Sequence, residues 1–294
     1  MPDASRVLVT GAGGKTGHAV IRALLAEDVP VRGLVRDPGR HPGLADLGDV
    51  EVAAGDQRDV AVLTAALAGC AAVYHIAPNV SADEIAMGEA VLAACERAGV
   101  TRLVFHSVID PHEPEMPHHA DKGAVEDRIE ASELAWTVLR PNTYLQNLDG
   151  YLDDLRAGRY RVPYGTDRGL AMVDLREVAE VAAGALSGRL PDAVGATWEL
   201  SGPQHLTPER VAVVASQLLG REVLAERQDP DDWVAEAQGL PDEARRRLYL
   251  MFRYYDRYGC PGDQTTLRRL LGREPTDLAS YLEMVLGRGA AGAH

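Results

Sequence analysis

Three glycines at fixed intervals, Gly11, Gly14 and Gly17, stand between an apolar run, Val7-Leu8-Val9, and a segment with helical apolar spacing. Glycine has no Cβ, so Gly11 can turn tightly, Gly13 and Gly14 can approach a phosphate, and Gly17 can pack a helix onto the preceding strand. The helix expected from about Lys15 to Glu27 carries Val20, Ile21, Leu24 and Leu25 at i, i+3, i+4 intervals, and Pro30 prevents its continuation. Its first turn, at Lys15 and Thr16, offers free N–H groups and the positive end of the helix dipole to the glycine turn. That is the chemistry of pyrophosphate binding. A triphosphatase loop ending in Gly14-Lys15-Thr16 would need glycine five positions earlier, where Val9 stands inside the strand.

The next strand, Val31 to Val35, ends at Arg36. In a dinucleotide fold an acidic residue here binds the ribose hydroxyls of NAD, whereas arginine suits a 2′-phosphate. Arg36, with Arg40 nearby, therefore predicts NADP(H) as the cofactor. Ligands of this fold lie outside the carboxyl ends of the strands. Asp56 and Gln57, after a third strand, are expected to meet the adenine, and Ala77 and Pro78, after a fourth, to line the cofactor.

Positioning these residues takes a regular alternation. Strands are expected at Val50–Ala54, Ala72–Ala77, Arg102–His106 and Trp136–Leu139, with helices at 59–67, 84–98 and 120–132 between them. This pattern predicts an α/β fold, a Rossmann doubly wound parallel sheet. Beyond about residue 145 helices outnumber strands, which predicts a smaller, mainly helical C-terminal lobe. The expected division is 1–145, with a later strand able to return to the sheet, 146–286 as a substrate-covering lobe with Trp233, Phe252, Tyr254 and Tyr255, and a loose tail, 287–294.

Composition narrows the class. A net charge of −14 over 294 residues opposes direct binding to nucleic acid or an anionic membrane. Cys70, Cys95 and Cys260 show neither a paired framework nor a metal-type spacing, and suit a reducing cytoplasm. The chain begins without a basic-then-apolar leader, and no apolar run approaches a membrane span. His112, His118 and His119, in a proline-containing segment expected to be a loop, lack a recognised zinc-ligand spacing, so no metal is expected.

The glycine triplet, Arg36, Lys122-Gly123-Ala124-Val125-Glu126, Arg140-Pro141-Asn142-Thr143-Tyr144-Leu145-Gln146-Asn147 and Val173-Asp174-Leu175-Arg176-Glu177-Val178-Ala179 together resemble the NmrA-like family of atypical short-chain dehydrogenases. The resemblance implies a Rossmann domain holding NADP(H), with Lys122, Pro141, Asn142 and Tyr144 also toward the cofactor. Short-chain dehydrogenases typically combine serine, tyrosine and lysine, the tyrosine four positions before the lysine. Here His118 occupies the tyrosine's place and Ser107 that of the serine. Carbonyl reduction needs a proton donor beside the developing anion, and histidine or Tyr144 could supply it, while the Lys122 charge could stabilise the anion. The function expected is NADPH-dependent reduction of a ketone, quinone or related aromatic small molecule. The family also implies an alternative, a non-catalytic NADP(H) sensor acting through a protein partner.

Overall fold

The computed structural model describes residues 6–287, so the expected tail falls, from residue 288 onward, outside the described residues. Six strands alternate with helices through the first half: β1 (Val7–Val9), α1 (Lys15–Ala26), β2 (Val31–Val35), β3 (Val50–Ala54), α2 (Val60–Leu67), β4 (Ala72–His75), α3 (Glu84–Ala98), β5 (Arg102–His106), α4 (Pro117–Glu130) and β6 (Ala135–Pro141). There follow α5 (Leu152–Arg156), β7 (Arg159–Val162), α6 (Leu175–Ser187), β8 (Ala196–Leu200), α7 (Pro208–Leu219), β9 (Leu224–Arg227), α8 (Pro230–Glu236), α9 (Asp242–Tyr258), α10 (Thr266–Leu271) and α11 (Leu278–Gly287).

Local chemistry sets several of these boundaries. Asp59 caps α2 by accepting from the Ala61 and Val62 N–H groups, and Thr207 caps α7 through Arg210 N, with Pro208 at the first helical position. Gly99, left-handed at φ 69°, closes α3. The start of α4 differs from expectation. It begins at Pro117, whose fixed φ is already helical, so His118 and His119 lie in a helix rather than a loop.

Seven strands form one sheet in the order β3-β2-β1-β4-β5-β6-β8. The pairings β3–β2, β2–β1, β1–β4, β4–β5 and β5–β6 are all parallel, with Val9 opposite Gly33 on one side and Tyr74 on the other. A parallel sheet covered on both faces buries continuous apolar strands. Accordingly Val7, Leu8 and Val9 are each at most 1% exposed. Leu8, Val73, Leu103, Phe105 and Val138 pack with Leu63 and Leu67 of α2, Val91 and Ala94 of α3 and Val125 and Ile129 of α4 in one buried cluster. This is a doubly wound Rossmann sheet. Strand order reverses between β1 and β4, the place where such sheets bind dinucleotides.

The chain divides into two compact units. One takes the chain to Pro114 together with His118–Arg140 and Arg176–Trp198; the other takes Glu115–Pro117, Pro141–Leu175 and the chain from Glu199 onward. The second unit is mainly helical. Its own two-stranded sheet pairs β7 with β9 in parallel, Arg159 opposite Leu224.

Candidate functional site

The carboxyl ends of β1 and β4 are fastened to each other by one side chain. The Thr10 hydroxyl donates to the Ile76 carbonyl (3.1 Å) and accepts from the Ile76 N–H (2.9 Å). With its single proton so placed, Thr10 must accept from His75 Nδ1 (3.0 Å), which fixes the tautomer of that fully buried ring. Burial, then the Lys122 charge, pushes the His75 pKa down to about 3, so the ring is neutral.

Gly11 follows, left-handed at φ 59°, and a Cβ there would lie 2.9 Å from the Ile76 carbonyl oxygen. A Cβ on Gly17 would meet the Gly11 oxygen at 2.4 Å and the Ala12 Cα at 2.8 Å. The turn and α1 therefore approach as closely as two backbones can. Among the described residues no side chain caps α1, and its first turn carries no acidic residue. Its positive end stays available to an anion. Gly14 forms the open side of the cradle, where an added Cβ would meet only the Gly11 oxygen, at 3.3 Å.

At the ends of β2 and β3 stand the residues read as adenosine contacts. Arg36 and Arg40 are exposed. Asp56 is bound by Arg58 (2.6 and 3.0 Å), and that pairing, with Arg36 a lesser influence, holds its carboxyl down to about 2. Gln57 turns to the glycine turn: its amide, oriented to satisfy both ends, accepts from the Gly11 N–H (3.1 Å) and donates to the Ile76 carbonyl (3.2 Å). Ala77 is buried and Pro78 exposed at the end of β4. These groups fit a dinucleotide carrying a 2′-phosphate: a phosphate cradle without Cβ, a positive helix end, and two exposed guanidinium groups at β2.

Beyond β5 two buried carboxylates organise the remaining polar residues. Lys122 Nζ donates to Glu84 Oε1 (2.8 Å) and to the His106 carbonyl (3.2 Å), and lies 5.4 Å from the centre of the Phe105 ring. Glu84, at the N-terminus of α3, is only 2% exposed. The Ser107 hydroxyl donates to Glu126, which is 1% exposed, and Arg140 holds that carboxylate through Nε (3.0 Å) and Nη2 (2.6 Å). A hydroxyl has one proton, so Ser107 as placed can accept from a third group but not donate to it. His118 is buried with its ring edge-on to His119, 4.5 Å between centres. His119 Nδ1 meets the Ile109 carbonyl at 2.8 Å, and burial pushes its pKa down to about 4.

Lys122, Ser107 and His118 thus share the first unit, whereas Pro141, Asn142 and Tyr144 belong to the second. Asn142 Nδ2 reaches the Pro261 (3.1 Å) and Cys260 (3.3 Å) carbonyls, which makes it a pin between two segments of that unit. Half-buried Tyr144 bridges to Val173. Trp233 packs edge-on against Phe252 (4.7 Å), and Phe252 stacks on Tyr164 (6.4 Å), so these aromatics form a packed cluster of their own. Glu84 and His41 were not singled out from sequence: the first looks like an ordinary helix-start carboxylate, and the second lies in a turn.

The family model for the NmrA-like family matches residues 3–283. The chain belongs to that family. Among its relatives, an NAD(P)H azoreductase of Xenophilus azovorans is 33% identical over 220 residues, 74% of this chain and 75% of that one. Quinone oxidoreductase 2 of Escherichia coli is 28% identical, covering 93% of this chain and 96% of its own. The crystal structure of an Escherichia coli NADPH-dependent quinone oxidoreductase with NADPH superposes with a TM-score of 0.82 at 26% identity, covering 96% of this chain and 99% of that chain.

Proposed function

We propose that this chain, an NADP(H)-dependent oxidoreductase of the atypical short-chain type, reduces a quinone or a related aromatic acceptor. The observation that carries the reading is the cradle at the strand-order reversal, with exposed Arg36 after β2 and the Lys122 ammonium held beside the end of β5. Relatives named as an azoreductase and a quinone oxidoreductase support the aromatic acceptor.

NADPH, when bound, supplies a hydride; with one proton from water the two electrons convert a quinone to its hydroquinone. The glycine turn and α1 hold the phosphates, and Arg36 with Arg40 favours the 2′-phosphate. Glu84 and the His106 carbonyl fix the Lys122 ammonium in place, where it stabilises the anion that forms on the acceptor. The acceptor class follows from the acid that is missing. A ketone gives an alkoxide, which needs a positioned proton donor, whereas a quinone gives a phenolate, whose conjugate acid has a pKa of about 10 like that of tyrosine, and water protonates it readily. His118 in place of the usual tyrosine and Ser107 committed to Glu126 suit the second case.

The test is NADPH oxidation, followed by absorbance, with quinones, azo dyes and simple ketones in parallel. Quinone turnover that survives His118→Ala and Tyr144→Phe supports the reading. Tight NADPH binding without turnover of any acceptor favours a sensor instead.

A further inference from the structure

The open side of Gly13 is filled by another residue. A Cβ on Gly13 would lie 2.4 Å from His41 Nδ1, 2.5 Å from Cε1 and 2.7 Å from Cγ, so the imidazole rests on the glycine turn itself. The backbone that carries the ring is held on both sides. His41 links two short 3-10 segments, 38–40 and 42–47; its N–H donates to the Pro38 carbonyl (3.0 Å) and its carbonyl accepts from Leu44 N (3.1 Å). Leu44 anchors the loop at 1% exposure, in the space left by the missing side chain of Gly33. Asp37, the nearby carboxylate, is turned to the Gly39 N–H (3.0 Å).

The surroundings are cationic in a chain whose net charge is −14. Lys15 and Arg22 project from α1, and Arg36 and Arg40 precede His41. Arg22 and His41 both lie close enough to His18 to hold its pKa down, burial being the larger cause. A dinucleotide phosphate held by the first turn of α1 must pass alongside Gly13 and therefore alongside this ring. Ala12 N donates to the Leu34 carbonyl (3.2 Å), so the turn lies against β2 near the strand end that carries Arg36, and nucleotide preference is what distinguishes a pyrophosphate contact from one to the 2′-phosphate.

Resting on the NADP(H) reading above, we propose that His41 is a cofactor-binding residue: it closes over the glycine turn and donates a hydrogen bond to the pyrophosphate of the dinucleotide. The α1 N-terminus then holds the pyrophosphate from one side and the imidazole from the other. The contact is indifferent to the 2′-phosphate, so it serves NADPH and NADH alike.

Calorimetric titration of NADPH and NADH into the wild-type protein, His41→Ala and His41→Gln tests this. A charge-assisted hydrogen bond predicts that His41→Ala weakens both nucleotides by about ten- to a hundredfold, with partial recovery in His41→Gln, which keeps a donor. Loss confined to NADPH would place His41 on the 2′-phosphate, and unchanged or tighter binding of both would make the ring a mere plug in the cradle. Either result overturns the assignment. If the alanine variant fails to fold, the His41 ring resonances of the wild-type protein are followed by NMR during titration with inorganic pyrophosphate; a shift supports the contact and a stationary signal refutes it. Failure of the wild-type protein to bind either nucleotide would sink the cofactor reading itself, a different outcome from a variant that binds as the wild type does.

Discussion

Lys122 and Glu126 are four positions apart on α4, a spacing that usually pairs such side chains across one helical turn. In the structure they serve different neighbours, Lys122 reaching Glu84 of α3 and Glu126 taking Ser107 and Arg140. Removing one member of a buried pair leaves the other charged and desolvated, which costs more than the pair is worth. Lys122→Ala should therefore lower unfolding free energy by about 3 kcal/mol, read from urea denaturation, besides weakening turnover. Arg36→Glu acts on the surface and should leave stability alone while reversing the preference between NADPH and NADH; equal NADPH affinity by calorimetry would show that Arg36 does not face the phosphate. The glycines and Arg36 stood out in the sequence through backbone clearance and charge, and Lys122 through the family motif around it. Glu84 was not, since its importance comes from a helix packed beside α4 and 38 residues away in sequence. The fate of Ser107 was hidden for the same reason: a serine at a strand end reads as available until its acceptor is placed.

Elements were legible in proportion to how many residues repeat the signal. β1 to β6 and α1 to α3 declared themselves through apolar runs, caps and left-handed glycines, whereas β9 and α10 are short, and β9 is largely exposed, so neither leaves a periodic trace. The start of α4 was misplaced because proline reads equally as a loop residue or a first-turn residue, and only packing decides. One junction between elements is rigid enough to test. Gly17 brings α1 against the turn, and an added methyl would meet backbone atoms that cannot move aside. Gly17→Ala should cost about 1–3 kcal/mol of stability and reduce nucleotide affinity at least tenfold by moving the α1 N-terminus. Wild-type affinity in that variant would show that the turn has room the structure does not give it.

At the scale of the molecule, three neutral histidines are built into one unit. Burial pushes His75 and His106 down to about 3 and His119 to about 4, against an ordinary value of about 6.5 in the unfolded chain. The unfolded state gains protons first as pH falls, so stability is complete above about pH 6.5 and declines below it until the folded values are reached. With all three sites contributing, the decline approaches about 4 kcal/mol per pH unit between pH 6 and 4. Urea unfolding across that range should show it, and a flat profile from pH 7 to 5 would mean the rings titrate in the fold as they do in the unfolded chain. Sequence reading gave no hint of this, because a histidine's depth depends on the whole sheet. The sheet also has a history in time. Its edge strand β8 begins at Ala196, long after β6 ends at Pro141. A ribosome adding about 5–20 residues each second exposes the bare β6 edge for several seconds before its neighbour is made. During synthesis the unit that carries the cofactor cradle is therefore vulnerable to mispairing, and a stalled chain ending before residue 196 should be cut by protease where one extending well beyond residue 200 resists.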